Sequence, residues 1–107
     1  MKVKIYNSRT HGKVELENAG YDSNNNLAAG AFIGYADVAK LLIGDEDIKI
    51  GRSYNYANIS SSANAGGIIG YNSSKNTEIV NTYNYYNIKQ TGKISYTGAG
   101  GFIGKVD

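Results

Sequence analysis

Three near copies of one glycine-rich phrase punctuate this 107-residue chain: AGAFIGYA at 29–36, AGGIIGYN at 65–72 and AGGFIGKV at 99–106. They start 36 and then 34 residues apart. A second phrase recurs between them, where IGRSYNYANI at 50–59 is matched 29 residues later by IVNTYNYYNI at 79–88. Ile50 aligns with Ile79, Tyr54 with Tyr83, Asn55 with Asn84, Tyr56 with Tyr85, Asn58 with Asn87 and Ile59 with Ile88. Self-similarity at a period of roughly 20–50 residues marks an array in which each unit buries its apolar face only against its neighbours. The units are 29–64 and 65–98, with 99–107 opening a further one and 1–28 a degenerate or capping unit, all within a single repeat domain.

Each unit offers short strands. In the glycine phrases a bulky pair (Phe32 and Ile33, Ile68 and Ile69, Phe102 and Ile103) sits between glycines, which reads as a short buried strand closely approached by its neighbours. A helix there is disfavoured, since each glycine costs about 1 kcal/mol relative to alanine. Val3 and Ile5 alternate with lysines in KVKIY, Val14 and Leu16 alternate with glutamates, and Ile94 alternates with Tyr96 in TGKISYTG. Residues 18–26 (NAGYDSNNN) read as a turn. The single helical candidate is 37–43: Asp37 can cap, Val38, Leu41 and Leu42 share helical spacing, and Gly44 can stop the turn.

The expected fold is therefore all-β: a short parallel β-solenoid (β-helix) of about three coils, with one short helix in an insertion near 37–43. Coils would stack about 4.8 Å apart, isoleucine on isoleucine inside and asparagine on asparagine at corners. The competing architecture is an antiparallel sandwich. It is weaker because Asn-Gly and Asp-Gly hairpin signals are absent.

Composition excludes several classes. With no Cys, disulfides, thiolate catalysis and Cys-ligated zinc are impossible. Eleven basic and nine acidic residues give +2 without a basic block, so neither nucleic acid nor an anionic lipid surface is indicated. No stretch approaches transmembrane length, which argues against membrane insertion, and the N-terminus lacks the apolar run of a signal peptide.

The order Gly-Gly-[Ile/Phe]-Ile-Gly, then Ile-x-x-[Ser/Thr]-Tyr-Asn, then Gly-Gly-x-Ile-Gly again resembles the GLUG repeat, found in adhesin-like surface proteins and immunoglobulin A1 peptidases of Gram-positive bacteria. The resemblance spans about residues 29–105 and departs at Ala31, where the second glycine of the pair is expected. It implies a β-helical stalk at the cell surface or outside the cell, an adhesive scaffold with no catalytic residues or cofactor to carry over.

Candidate chemistry is sparse. Asp22, Asn24 and Asn26 start like an EF-hand loop, but Leu27 replaces its glycine and Ile33 its bidentate glutamate. Asp45, Glu46 and Asp47 could hold calcium but read better as an acidic loop tip, so no metal site is assigned. His11, the sole histidine, reads as a turn residue, and no G-x-S-x-G elbow seats a nucleophile. Glu15, Glu17 and Glu78 could pair for glycoside hydrolysis only if the fold brought two together. The glycine phrases lack the Lys-Ser/Thr of a phosphate loop.

What remains is the ladder Tyr54, Asn55, Tyr56, Asn58, Tyr83, Asn84, Tyr85 and Asn87, a candidate ligand surface of rings and amides suited to sugars. The same groups could instead stabilise the coils through stacked rings and amide ladders. The expected role is a non-enzymatic stalk or adhesive scaffold. Its partners would be host or cell-surface glycans or proteins, with end-to-end self-association through an unpaired C-terminal coil. Two alternatives stand: an accessory segment of a surface peptidase, and a small carbohydrate-binding module.

Overall fold

The computed structural model describes residues 2–16, 27–44, 52–91 and 98–106. The described secondary structure is all β, in the order β1 (Lys2–Ile5), β2 (Arg9–Leu16), β3 (Ala28–Gly30), β4 (Ile33–Ala36), β5 (Lys40–Ile43), β6 (Ser53–Ser61), β7 (Asn64–Gly66), β8 (Ile69–Asn72), β9 (Asn76–Ile79), β10 (Thr82–Asn84), β11 (Ile88–Gln90), β12 (Ala99–Gly100) and β13 (Ile103–Val106). These form four small sheets. The first is β1-β5-β9; in the second, β6 pairs with β2 on one edge and with β10 and β11 on the other; the third is β12-β7-β3 and the fourth β13-β8-β4. The chain therefore visits the four sheets in the same order on three successive rounds. Every described strand pair is parallel, which rules out the antiparallel sandwich.

Register explains the repeats. Ile33 and Ile103 both lie opposite Ile69, so the isoleucines of the three glycine phrases form one column across the fourth sheet. Ile5, Ile43 and Ile79 form another across the first sheet. Both columns meet in one core, where Leu41, Ile43, Ile68 and Ile69 are fully buried. A second core joins Val14, Ile59 and Ile88 of the second sheet to Ala29 of the third. The step between paired strands is uneven: β2 and β6 pair 45 residues apart, β6 and β10 only 29, while the fourth sheet steps 36 and then 34.

Each glycine phrase makes two strands rather than the single one expected. β7 and β8 meet at a tight bend over Gly67 and Ile68, as do their counterparts in the other rounds. The bend closes because Gly66 has no side chain: a Cβ there would overlap the Ile69 carbonyl oxygen and stand 2.7 Å from the Gly104 amide nitrogen. Successive bends are stitched by Ile68 N–H to the Phe102 carbonyl at 2.9 Å and Phe32 N–H to the Ile68 carbonyl at 3.0 Å.

The helix expected over 37–43 is a strand. β5 buries Leu41 and Ile43 and turns Lys40 and Leu42 outward, a period of two, and its backbone is bonded on both sides by β1 and β9. Seven residues give an isolated helix too few hydrogen bonds to repay its nucleation, and the neighbouring strands supply more. Gly44 does end the element, at φ 85, where a side chain would meet the Val80 carbonyl.

The stretch EIVNTYNY at 78–85 is likewise divided between two strands: Asn81 adopts φ 45 and turns the chain from the first sheet into the second. Asn7 (φ 50) stands at the same place in the first round, two residues after the aligned Ile5. Asparagine tolerates this left-handed conformation better than most residues. Tyr6-Asn7 is therefore a corner, and it is Arg9 and Thr10 that pair with Tyr54 and Asn55.

Candidate ligand surface

Alternation along β6 splits the Tyr/Asn phrase between two faces of the second sheet. Asn55, Ala57 and Ile59 point inward and are buried, whereas Tyr54, Tyr56, Asn58 and Ser60 face outward. The registers with β2 and β10 extend those outward residues into rows. Arg9, Tyr54 and Tyr83 make one row, and His11 lies opposite Tyr56, with Tyr85 continuing that row one residue past β10.

In the second row the rings stack almost parallel. His11 and Tyr56 have centroids 5.0 Å apart at 10°, and Tyr56 and Tyr85 4.9 Å apart at 6°. The spacing follows from the parallel sheet, whose strands lie about 4.8 Å apart. Tyr54 and Tyr83 stack more loosely, at 6.0 Å, and cross-contacts between Tyr54, Tyr83 and Tyr85 near 6 Å join the rows. Tyr86 adds an edge contact to Tyr56. Tyr85 remains 55% exposed, so the platform reaches solvent.

The amides divide. Asn58 and Asn87 are exposed on the outward face. Asn55 is fully buried and unavailable to a ligand. Its Nδ2 donates to Asn84 Oδ1 at 2.6 Å and to the Ala57 carbonyl, and its Oδ1 accepts from Thr10 Oγ1 at 2.8 Å and from the Ala57 amide. Asn84 repeats the local turn by donating to the Tyr86 carbonyl. This inner row binds the three rounds together. We expect Asn55→Ala to lower stability by about 1–3 kcal/mol, because the Thr10 and Asn84 side chains and the Ala57 backbone each lose a hydrogen-bond partner inside the fold. Urea unfolding measures this, and an unchanged midpoint would show that the row contributes nothing.

His11 is thus a strand residue and not the turn residue expected. The sequence carried a usable signal: Arg9, His11, Lys13 and Glu15 alternate with residues that include Val14 and Leu16, which extends the strand back to residue 9. The glutamates are not brought together. Glu15 faces outward on the second sheet and Glu78 on the first, while Glu17 lies outside the described residues. The candidate calcium positions Asp22, Asn24, Asn26 and Asp45 to Asp47 also lie outside them, as does the Ile94–Tyr96 alternation. Among the described residues no group of three His, Asp or Glu is placed to hold a metal. No described helix is long and apolar enough to cross a membrane.

Comparison with known proteins finds no matching family, no matching curated protein and no matching solved structure.

Proposed function

We propose that this chain is a parallel β-solenoid segment of about three coils that serves as a stalk or adhesive scaffold of a bacterial surface or secreted protein, without catalysis of its own. The observation that supports the solenoid reading is the unchanged order in which the chain visits its four parallel sheets on each round. Kinship with the GLUG repeats belongs to the same proposal and rests on the three glycine phrases and the two Tyr-Asn phrases. In such an array each coil is a module, so stability grows with coil number. Duplicating residues 37–72, one full round from the fourth sheet back to it, should give a folded protein with a higher melting temperature and about 5 Å added along the stacking axis. An unfolded or less stable product would count against the solenoid. Antibody labelling of intact source cells tests the surface role.

A second reading, a carbohydrate-binding surface, is favoured by the outward platform of Tyr54, Tyr56, Tyr83 and Tyr85 with Asn58 and Asn87 beside it. It is compatible with the scaffold role, since an adhesin needs a recognition face. End-to-end self-association and the accessory-peptidase role remain proposals of the same standing, to be separated by the oligomeric state and by the neighbouring segments of the parent protein.

A further inference from the structure

The cations of this chain are scattered in sequence, yet folding gathers several around the ring platform. Arg9 and Lys13 flank His11 on β2, Arg52 places its guanidinium 5.8 Å from the Tyr83 ring centroid, and Lys89 faces outward from β11. They come from all three rounds and so are spread along the stacking direction. Glu15 is the sole described carboxylate on this face, and it is held 3.8 Å from Lys13.

The orientation of the rings narrows the ligand further. Rings stacked along the axis cover one another's faces and turn their edges and hydroxyls outward. An aromatic edge carries the positive part of the ring quadrupole, so edge and cation favour the same kind of group. Inserting another flat ring between two others needs about 7 Å, twice a van der Waals contact. The second row, at 4.9 and 5.0 Å, leaves no such slot. A nucleobase therefore cannot intercalate in this row and is left with only the outer faces of its end rings, His11 and Tyr85. Neutral sugars that rely on ring-face stacking are limited in the same way.

We propose that the outward face of the second sheet binds an acidic polysaccharide, its carboxylates paired with Arg9, Lys13, Arg52 and Lys89 and its hydroxyls bonded by tyrosine hydroxyls and the Asn58 and Asn87 amides. This rests on the reading of that face as a recognition surface of the scaffold.

The test titrates the whole chain with polygalacturonate, neutral galactan and oligo(dT), in low and physiological salt. Polygalacturonate should bind at least about ten-fold more tightly than galactan, with an affinity that falls as salt rises. Arg9→Ala with Lys13→Ala should weaken it by about ten-fold at an unchanged melting temperature. Lys2→Ala, Lys40→Ala and Lys75→Ala, which remove charge from the first sheet and from the residue just before β9 and touch no ring of the platform, should leave it within about two-fold. The proposal is overturned if galactan binds as tightly, if the first-sheet variant loses as much as the second-sheet one, or if oligo(dT) binds more tightly than polygalacturonate. Binding of neither polysaccharide would overturn it as well. That result would leave the solenoid reading standing, since coil duplication tests it separately.

Discussion

Ile69→Asp is expected to abolish cooperative folding. Ile69 is fully buried, lies between Ile33 and Ile103 in the central round and packs against Leu41 and Ile43 across the core. A carboxylate there has no cation to pair with among those neighbours, and burying an unpaired charge costs several kcal/mol. Domains of this size have only about 5–15 kcal/mol of total stability. Two controls give the result its meaning. Ile69→Val keeps the shape and should cost about 0.5–1.5 kcal/mol. Val106→Asp makes the same chemical change at a position 65% exposed, and should stay within about 0.5 kcal/mol of the parent. Far-ultraviolet circular dichroism with thermal melting reads all three. A soluble Ile69→Asp protein that melts like the parent would mean that the isoleucine column is not the core.

The second large effect needs only one methyl group. Gly66→Ala places a Cβ on the Ile69 carbonyl oxygen, a backbone atom that cannot swing aside, so the bend between β7 and β8 must open. Overpacking of this kind costs about 1–3 kcal/mol and at times more, and here it falls in the central round, where both neighbouring bends are bonded to it. Gly101→Ala is the internal comparison. The second glycine of its phrase has nothing within 4 Å of where its Cβ would lie, and its φ is not left-handed. That substitution should be neutral or stabilising by up to about 1 kcal/mol, because alanine restricts the unfolded chain. Equal losses from the two variants would show that the glycines serve chain flexibility and not close approach.

The repeated phrases were legible because stacking in register makes sequence identity visible as spatial identity. Ile33, Ile69 and Ile103 could be aligned by eye, and the sheet aligns them as well. Asn55 and Asn84 were equally plain, but whether the pair faced a ligand or the interior was not, since a phrase of alternating Tyr and Asn supplies both faces of one strand. The segment 37–43 failed for a different reason. Val38, Leu41 and Leu42 fit a helix while Leu41 and Ile43 fit a strand, and in seven residues neither period dominates. Only the neighbours β1 and β9 decide it. His11 was missed because its partner Tyr56 lies 45 residues away, outside the period that the glycine phrases set. The cation cluster was invisible for the same reason: no two of Arg9, Arg52 and Lys89 are close in sequence.

The uneven step between rounds has a consequence for how such a chain can change. In the second sheet successive strands are 45 and 29 residues apart, yet His11, Tyr56 and Tyr85 still form one straight column. Length is therefore decoupled from alignment: residues gained or lost at a corner leave every rung of the ladder where it was. Each rung can then be exchanged one side chain at a time, as imidazole stands in here for phenol. A lineage built this way can vary the length of its connections and the chemistry of its outward face independently, with the buried isoleucine columns holding both in register.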